Sequence, residues 1–93
     1  MNPRLWEDFG ETGVKVLIAL YELNGEGDFI EVTARARIGR SSWIKLAKLF
    51  NKYNLATMSI INKNGRNVQV MRLTEKGLRI AGLLAKIEEE LTN

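Results

Sequence analysis

The sequence predicts an α+β protein in which a helical core is followed by a β-hairpin and one further helix. Three observations predict this class. An apolar run at helical spacing lies in the first quarter, an Asn-Gly pair at residues 64–65 separates two alternating segments, and helical spacing returns after Thr74. A chain of 93 residues closes one hydrophobic core, so we expect a single domain over residues 1–93.

The N-terminal part predicts a short helical lead-in and one longer helix. The lead-in covers residues 4–9 and offers three apolar anchors: Leu5, Trp6 and Phe9. We expect Thr12 to cap the longer helix, whose apolar run is typical of a buried helix. This helix is expected to end at Asn24-Gly25, because glycine adopts the left-handed backbone that closes a helix.

A second helix is predicted over residues 30–37. Before it, Glu26-Gly27-Asp28 indicates a turn and Phe29-Ile30 a very short strand. The second helix is expected to break at Ile38-Gly39-Arg40, because Gly39 tolerates the left-handed backbone that a tight turn between helices needs.

A third helix, capped by Ser41 or Ser42, is predicted to run to about Tyr53. One apolar stripe recurs at helical spacing along it: Trp43, Ala47, Phe50 and Tyr53. Basic residues lie on the other side: Lys45, Lys48 and Lys52. This division is typical of a helix with one face in a core and the other in solvent.

After Leu55 the spacing of the apolar residues changes from helical to alternating, which predicts a hairpin. Asn64-Gly65 is its strongest signal, because a type I′ turn requires positive φ at both central positions. The return strand runs from Asn67 to Leu73. Thr74 is then expected to cap a last helix over about residues 75–91.

The charges are distributed unevenly along the chain. Residues 32–74 hold nine basic residues and no acidic one, whereas residues 1–31 carry a net charge of −5 and residues 75–93 a net charge of −1. Such a field favours a phosphate-bearing partner, since surfaces kept only for solubility intersperse both signs. The basic residues do not form one amphipathic helix, so nucleic acid is a better partner than a membrane.

The residue types argue against several kinds of site. Cysteine and histidine are absent, which removes disulfides, thiolate nucleophiles and histidine-based metal or acid–base chemistry. No pair of carboxylates is framed by apolar pocket residues, so we expect neither catalysis nor a cofactor. The acidic N-terminus does not fit a signal peptide, and no apolar run approaches the ~20 residues of a membrane span. We therefore expect a cytoplasmic protein.

The predicted element order resembles the winged helix-turn-helix. The helix-turn-helix would cover about residues 30–54 and the wing about residues 56–73. Residues 31–55 are similar to the helix-turn-helix of bacterial and archaeal regulators. The junction between wing and final helix in MarR-like and PadR-like proteins is similar to the segment Met71-Arg-Leu-Thr-Glu-Lys-Gly77. The short chain is also similar to small regulators of archaea and archaeal viruses. Such families often have a small residue where this sequence has Arg37.

The resemblance implies a sequence-specific, double-stranded DNA-binding regulator of transcription. It also implies a homodimer formed by the first and last helices, with residues 75–91 as a dimerisation helix and the acidic ends of the chain away from the DNA. In a winged helix the third helix enters the major groove and its N-terminal residues meet the base edges. The residues predicted to bind DNA are Arg37, Arg40, Ser41, Ser42, Ile44, Lys45, Lys48, Lys52, Lys63, Asn64, Arg66 and Asn67.

These residues are expected to act in different ways. Arg40 and Lys45 are suited to donate to guanine, and Ser42 to either purine or pyrimidine edges. Ile44 either touches a thymine methyl group or belongs to the fringe of the core. Ser41 is better suited to capping the helix.

The lysines further along the third helix, Lys48 and Lys52, are expected to face phosphates. The hairpin tip is expected to enter a minor groove or to contact the backbone. Trp43 could stack on a base of a single strand, but its place in the apolar stripe favours the core.

Two other classes of function stay open. A winged helix can serve as a protein–protein interaction module, since a fold alone does not decide function. RNA binding, or an accessory role in replication, is a further alternative. A gel shift with random genomic fragments tests the interaction module, which predicts no retardation at low salt. Competition between duplex DNA, single strands and RNA tests the RNA or replication alternative.

Overall fold

The computed structural model describes residues 5–92, with side chains from Glu7 onward. Its elements are a short π-helical segment (Leu5–Phe9, the lead-in helix), α1 (Gly10–Glu22), β1 (Glu26–Asp28), α2 (Phe29–Ala36), α3 (Arg40–Lys52), β2 (Ala56–Lys63), β3 (Arg66–Leu73) and α4 (Glu75–Thr92). The predicted α+β class is confirmed, with α2 and α3 as the helix-turn-helix and β2 and β3 as the wing. Arg4 and the side chains of Leu5 and Trp6 lie outside the described residues.

The core lies where α1, α3 and α4 pack against the sheet. Its largest fully buried side chains come from α1, α2, α3 and β3: Trp43, Phe50, Leu17, Leu20, Met71, Val16 and Val32. Burying an apolar side chain of this size contributes about 1.5–3 kcal/mol. The inner side of α3 is therefore fixed by the core, which leaves its outer side to solvent.

The buried stripe of α3 consists of Trp43, Leu46 and Phe50. The sequence predicted Ala47 and Tyr53 in place of Leu46, but these two residues are only half-buried. Leu46 is buried because α1 covers it: a Cβ atom at Gly13 would lie 3.4 Å from Leu46 Cδ2.

The sheet has three antiparallel strands in the order β1-β3-β2. Lys63 pairs with Arg66 at the end of the hairpin, and Asn64 and Gly65 between them have φ of 55° and 78°. The predicted type I′ turn is thus confirmed. The Asn62 Oδ1 atom accepts a hydrogen bond of 3.2 Å from the backbone N–H of Gly65, which supports the turn.

The boundary between β1 and α2 differs from the prediction. Residues 26–28 form a strand rather than a turn, and residues 29–30 form the first turn of α2 rather than a strand. The reason is a capping box: Asp28 Oδ1 accepts from the Glu31 N–H, and Glu31 Oε1 accepts from the Asp28 N–H, both at 2.9 Å. The reciprocal bonds start the helix directly after the strand.

Two of the predicted helix caps are wrong. α1 begins at Gly10 and continues directly from the lead-in helix, so Thr12 lies inside it. α3 begins at Arg40, because Gly39 adopts the extended N-cap conformation and neither Ser41 nor Ser42 caps the helix. The Gly39 carbonyl accepts the first helical hydrogen bond from the Trp43 N–H at 3.1 Å.

The turn between α2 and α3 has its left-handed residue at Arg37 (φ 58°), not at Gly39 (φ −97°). The backbone N–H of Ile38 bonds to the Thr33 carbonyl at 3.1 Å and closes α2. A left-handed residue at this point is the usual end of a helix, but glycine adopts it at lower cost than arginine. The left-handed backbone at Arg37 is the physical reason to expect a small residue at this position in a helix-turn-helix.

The segment Leu73-Thr-Glu-Lys-Gly77 joins the wing, α4 and the end of α3. The Thr74 hydroxyl accepts from the Gly77 N–H at 3.0 Å, which confirms the predicted cap, and donates to the Asn54 carbonyl at 2.7 Å. A Cβ atom at Gly77 would lie only 1.9 Å from the Leu55 carbonyl oxygen. This position therefore requires glycine, because any side chain would push α4 away from the loop after α3.

Candidate nucleic-acid interface

The outer face of α3 brings most of the predicted helix residues together. Ser41, Ile44, Lys45, Lys48 and Lys52 are exposed and line one open groove of about 670 Å³. Ile44 is 45% exposed, so it lies on the surface of α3 and not at the fringe of the core. The groove combines an apolar floor with three ammonium groups, which suits a partner that carries both phosphates and apolar edges.

Ser42 does not line this groove. It is half-buried and lines a smaller cleft of about 220 Å³ with Phe9, Gly10 and Thr12. The Ser42 side chain is therefore less accessible to a base edge than the Ser41 side chain.

The N-terminus of α3 is held by a stack of side chains. The Arg40 guanidinium lies 4.7 Å from the centroid of the Phe29 ring, and Phe29 packs edge-on against Trp43 with ring centroids 5.5 Å apart. The Trp43 Nε1 atom donates a 2.8 Å hydrogen bond to Gln69 Oε1 of the wing. Trp43 is 1% exposed, so its ring is not available to stack on a base. The stack holds the Arg40 side chain on the side of α3 that faces the wing.

The wing tip carries Lys63, Asn64, Arg66 and Asn67, all of which are exposed. Lys63 Nζ forms an ion pair with Asp28 Oδ2 at 3.4 Å, a contact that the sequence did not reveal. Arg66 and Asn67 line a groove of about 480 Å³ that extends to Arg40. The tip and the start of α3 thus border one continuous surface.

Arg37 lies apart from the other predicted residues. It lines a cleft of about 260 Å³ whose other residues come from α1, α2 and α4, among them Lys15 and Glu88. The structure therefore does not bring Arg37 to the groove on α3.

Among the residues that the structure describes, no ion pair engages a cation of α3. Among the nine basic residues of the acid-free segment, three form ion pairs: Arg35 with Glu22 at 3.0 Å, Lys63 with Asp28 at 3.4 Å and Arg72 with Glu26 at 2.9 Å. Within residues 5–92 the other six have no carboxylate within ion-pair distance: Arg37, Arg40, Lys45, Lys48, Lys52 and Arg66. Four of these six belong to α3, where a phosphate can reach them without displacing a carboxylate.

Two acidic residues of the lead-in helix also line the groove on α3. Glu7 and Asp8 line it together with Lys45, Lys48 and Lys52, so the acidic N-terminal end lies beside the face of α3 that is predicted to bind DNA and not away from it. The Tyr53 hydroxyl donates a 2.9 Å hydrogen bond to Asp8 Oδ2. This bond raises the pKa of Tyr53 above its ordinary value of 10.0, with burial and the negative charge of Asp8 as lesser causes.

The part of the chain that the structure describes shows no group of three or more acidic side chains placed to hold a metal ion. None of the helices in residues 5–92 is both long and apolar enough to cross a membrane.

Comparison with known proteins identifies the fold. No family model matches the sequence, and no curated protein matches it. The structure is similar to that of AF1382 from Archaeoglobus fulgidus, with a TM-score of 0.71 and 23% identity over 98% of this chain and 99% of that one.

Two ligand-bound structures are similar as well. PcaV, a transcriptional regulator from Streptomyces coelicolor in complex with its natural ligand, matches with a TM-score of 0.71 and 23% identity over 95% of this chain and 64% of its own. NadR in complex with 4-hydroxyphenylacetate matches with a TM-score of 0.68 and 20% identity over 87% and 58%. This chain thus spans about three fifths of each. At these identities the likeness shows the fold alone, and it confirms the winged helix-turn-helix fold that the sequence predicts.

Proposed function

We propose that this protein binds double-stranded DNA in a sequence-specific manner and regulates transcription. The observation that carries the proposal is the outer face of α3, where Arg40, Lys45, Lys48 and Lys52 have no acidic partner within the described chain. The opposite face is fixed in the core by Trp43 and its neighbours. A helix held in this way and charged in this way fits the major groove of B-DNA.

The positions along α3 support different DNA contacts for its side chains. Arg40 and Lys45 lie in the first half of the helix, where base edges are reached. Ser41 and Ile44 line the same groove as Lys45, whereas Arg40 lines the groove that extends to the wing. A bidentate contact to guanine discriminates against the wrong base by about 1–3 kcal/mol. Lys48 and Lys52 lie one and two turns further along and contact phosphates, which fix the register without reading sequence.

The wing supplies a second contact to the backbone or the minor groove. Arg66 has no acidic partner within residues 5–92, and Asn64 and Asn67 are exposed beside it at the tip. Lys63 contributes less, since its ammonium group already pairs with Asp28. The same fold occurs in the transcriptional regulator PcaV, which supports a regulatory, non-enzymatic role inside the cell.

We further propose that the protein is a homodimer paired through α4. Leu83, Ile87 and Leu91 are 64%, 57% and 81% exposed, at i, i+4 and i+8 on one face of the helix. The stripe is symmetric about Ile87. A two-fold axis at Ile87 therefore packs the stripe of one copy against the same stripe of a second, antiparallel copy. Self-complementarity of this kind is what an isologous interface needs.

The dimer is tested by the mass of the protein in solution. Ile87→Glu places a charge at the two-fold axis and should give monomers in analytical ultracentrifugation. Ile61→Glu is the matched control, because Ile61 is also exposed at 45% but lies on the wing. A wild-type protein that is monomeric at micromolar concentration would contradict the paired α4.

The DNA-binding proposal is tested by selecting bound sites from a random duplex library. A dimer presents two recognition helices about 34 Å apart, so we expect a pseudo-palindromic site. If each protomer meets about 4–6 phosphates, the log–log slope of affinity against salt should be roughly −7 to −11. A flat salt response, or preferred binding of RNA or single strands in competition, would contradict the proposal.

A further inference from the structure

We propose that Glu7 and Asp8 of the lead-in helix weaken the binding of α3 to the DNA backbone and so keep non-specific DNA binding low. The inference rests on the proposed function, because it requires that the lysines of α3 meet phosphates. It assigns an effect on DNA affinity to residues that belong neither to the helix-turn-helix nor to the wing.

The first support is the position of the two carboxylates. Glu7 and Asp8 line the same groove as Lys45, Lys48 and Lys52, and both also line the smaller cleft next to Ser42 and Lys45. None of the three lysines forms an ion pair with a carboxylate of residues 5–92. The carboxylates thus border the space that a phosphate bound by these lysines would enter, and no ion pair among the described residues joins them to the three ammonium groups.

The second support is that packing fixes the lead-in helix in this place. Phe9 is 7% exposed, and its ring centroid lies 5.7 Å from that of Phe50 and 5.4 Å from that of Tyr53. The Tyr53 hydroxyl bonds to Asp8 Oδ2 at 2.9 Å. Gly13 allows Phe9 to approach α1, since a Cβ atom there would lie 2.6 Å from Phe9 Cβ. The two carboxylates therefore stay beside α3 while the core is intact.

The electrostatic consequence follows from the range of the interaction. The Debye length is about 8 Å at physiological ionic strength, so charges that share one groove are only partly screened from each other. A phosphate that approaches Lys48 or Lys52 is attracted by the lysine and repelled by Glu7 and Asp8. Non-specific binding consists almost entirely of such phosphate contacts, and the repulsion lowers it directly.

The test measures the affinity of the full chain for a random-sequence duplex at low salt. Glu7→Gln and Asp8→Asn remove one charge each, and the Asn side chain keeps an oxygen that can accept from Tyr53. We expect each variant to bind about two- to fivefold more tightly, and the double variant about tenfold. Glu89→Gln is the matched control, because it removes the same charge from an exposed position on α4 and should change the affinity by less than half as much.

A second measurement separates charge from a change of shape. If the effect is electrostatic, the gain of Asp8→Asn should disappear at about 0.5 M salt, where the Debye length falls to a few ångströms. A gain that persists at this salt concentration, or neutral variants that bind no more tightly than Glu89→Gln, would overturn the inference and leave the proposed function intact. Failure of the wild-type protein to bind any duplex at low salt would instead overturn the proposed function.

Discussion

α3 and the wing carry the two halves of the candidate interface, but they are held in different ways. α3 has a buried stripe of Trp43, Leu46 and Phe50 under its exposed face. In the wing no residue from Thr57 to Gln69 is fully buried, and only Met58 and Val68 are half-buried. The core therefore sets the position of α3, whereas the wing depends on its strand ladder and its turn.

This difference suits α3 and the wing to the two kinds of DNA contact proposed above, base contacts for α3 and backbone contacts for the wing. Base edges must be met to within a fraction of an ångström, so base-reading side chains belong on a rigid element. A phosphate backbone can be reached by a hairpin with few buried contacts, and such segments open at lower free energy than the core. We therefore expect substitutions in the wing to change stability and DNA affinity almost independently, and substitutions in α3 to change both together.

The largest effect expected from this comparison is on stability. Trp43→Ala removes a fully buried ring and its hydrogen bond to Gln69 and should lower the free energy of unfolding by about 3–5 kcal/mol. Ile60→Ala, at a wing position that is 67% exposed, should change it by less than about 0.5 kcal/mol. Urea unfolding followed by circular dichroism measures both changes. Equal losses would contradict the claim that the core holds α3 more firmly than the wing.

The next effect is on DNA affinity. Arg40→Ala or Lys45→Ala should weaken binding to the selected site by about 1–3 kcal/mol and relax the preference for bases. Arg66→Ala should weaken selected and random duplexes alike and reduce the salt slope by about one. Fluorescence anisotropy at several salt concentrations measures this, with Arg79→Ala of α4 as the control. A loss of base preference in Arg66→Ala would show that the wing also reads sequence.

A smaller effect distinguishes the turn of the wing from the turn before α3. Gly65 has φ of +78°, and Gly39 is extended; an added Cβ would meet no atom at either position. Gly65→Ala should therefore lower the free energy of unfolding by about 1–2 kcal/mol through backbone strain alone. Gly39→Ala should be neutral or slightly stabilising. A loss at Gly39 as large as that at Gly65 would mean that the turn before α3 needs glycine after all.

The smallest effect concerns pH at the end of α3. Because the pKa of Tyr53 is raised in the folded protein, the hydrogen bond to Asp8 contributes stability below about pH 10, and this contribution is lost as the pH rises through the raised pKa. Thermal unfolding between pH 9 and 11 should therefore show a decline that Tyr53→Phe reduces. Tyr21→Phe, which keeps the bond between Tyr53 and Asp8, should leave the decline unchanged.

Local signals in the sequence were sufficient for much of the fold. Asn64-Gly65 predicted the hairpin because its two positive φ angles depend on the residues themselves. The spacing of Lys45, Lys48 and Lys52 opposite an apolar stripe predicted the outer face of α3, because helical spacing alone decides which side chains share a face. The capping box of Asp28 and Glu31 was also a local signal, but the turn-forming residues before it concealed the strand.

The features that the sequence did not predict depend on contacts between distant residues. The left-handed residue of the helix-turn-helix is Arg37 rather than Gly39, because the packing of α2 against α3 decides where the chain reverses. The acidic groups of Glu7 and Asp8 reach α3 only because Phe9 packs against Phe50 and Tyr53. No periodicity within either segment reveals that contact.

The close approach of Gly77 to the Leu55 carbonyl has a mechanical consequence. The first turn of α4 and the loop that ends α3 touch backbone to backbone, with no side chain between them to absorb a displacement. Thr74 adds a second connection at the same point through Asn54. In the homodimer proposed above, a rotation of one α4 against the other would therefore reach α3 as a rigid movement, and the angle at which the two α4 helices cross would set the spacing of the two α3 helices.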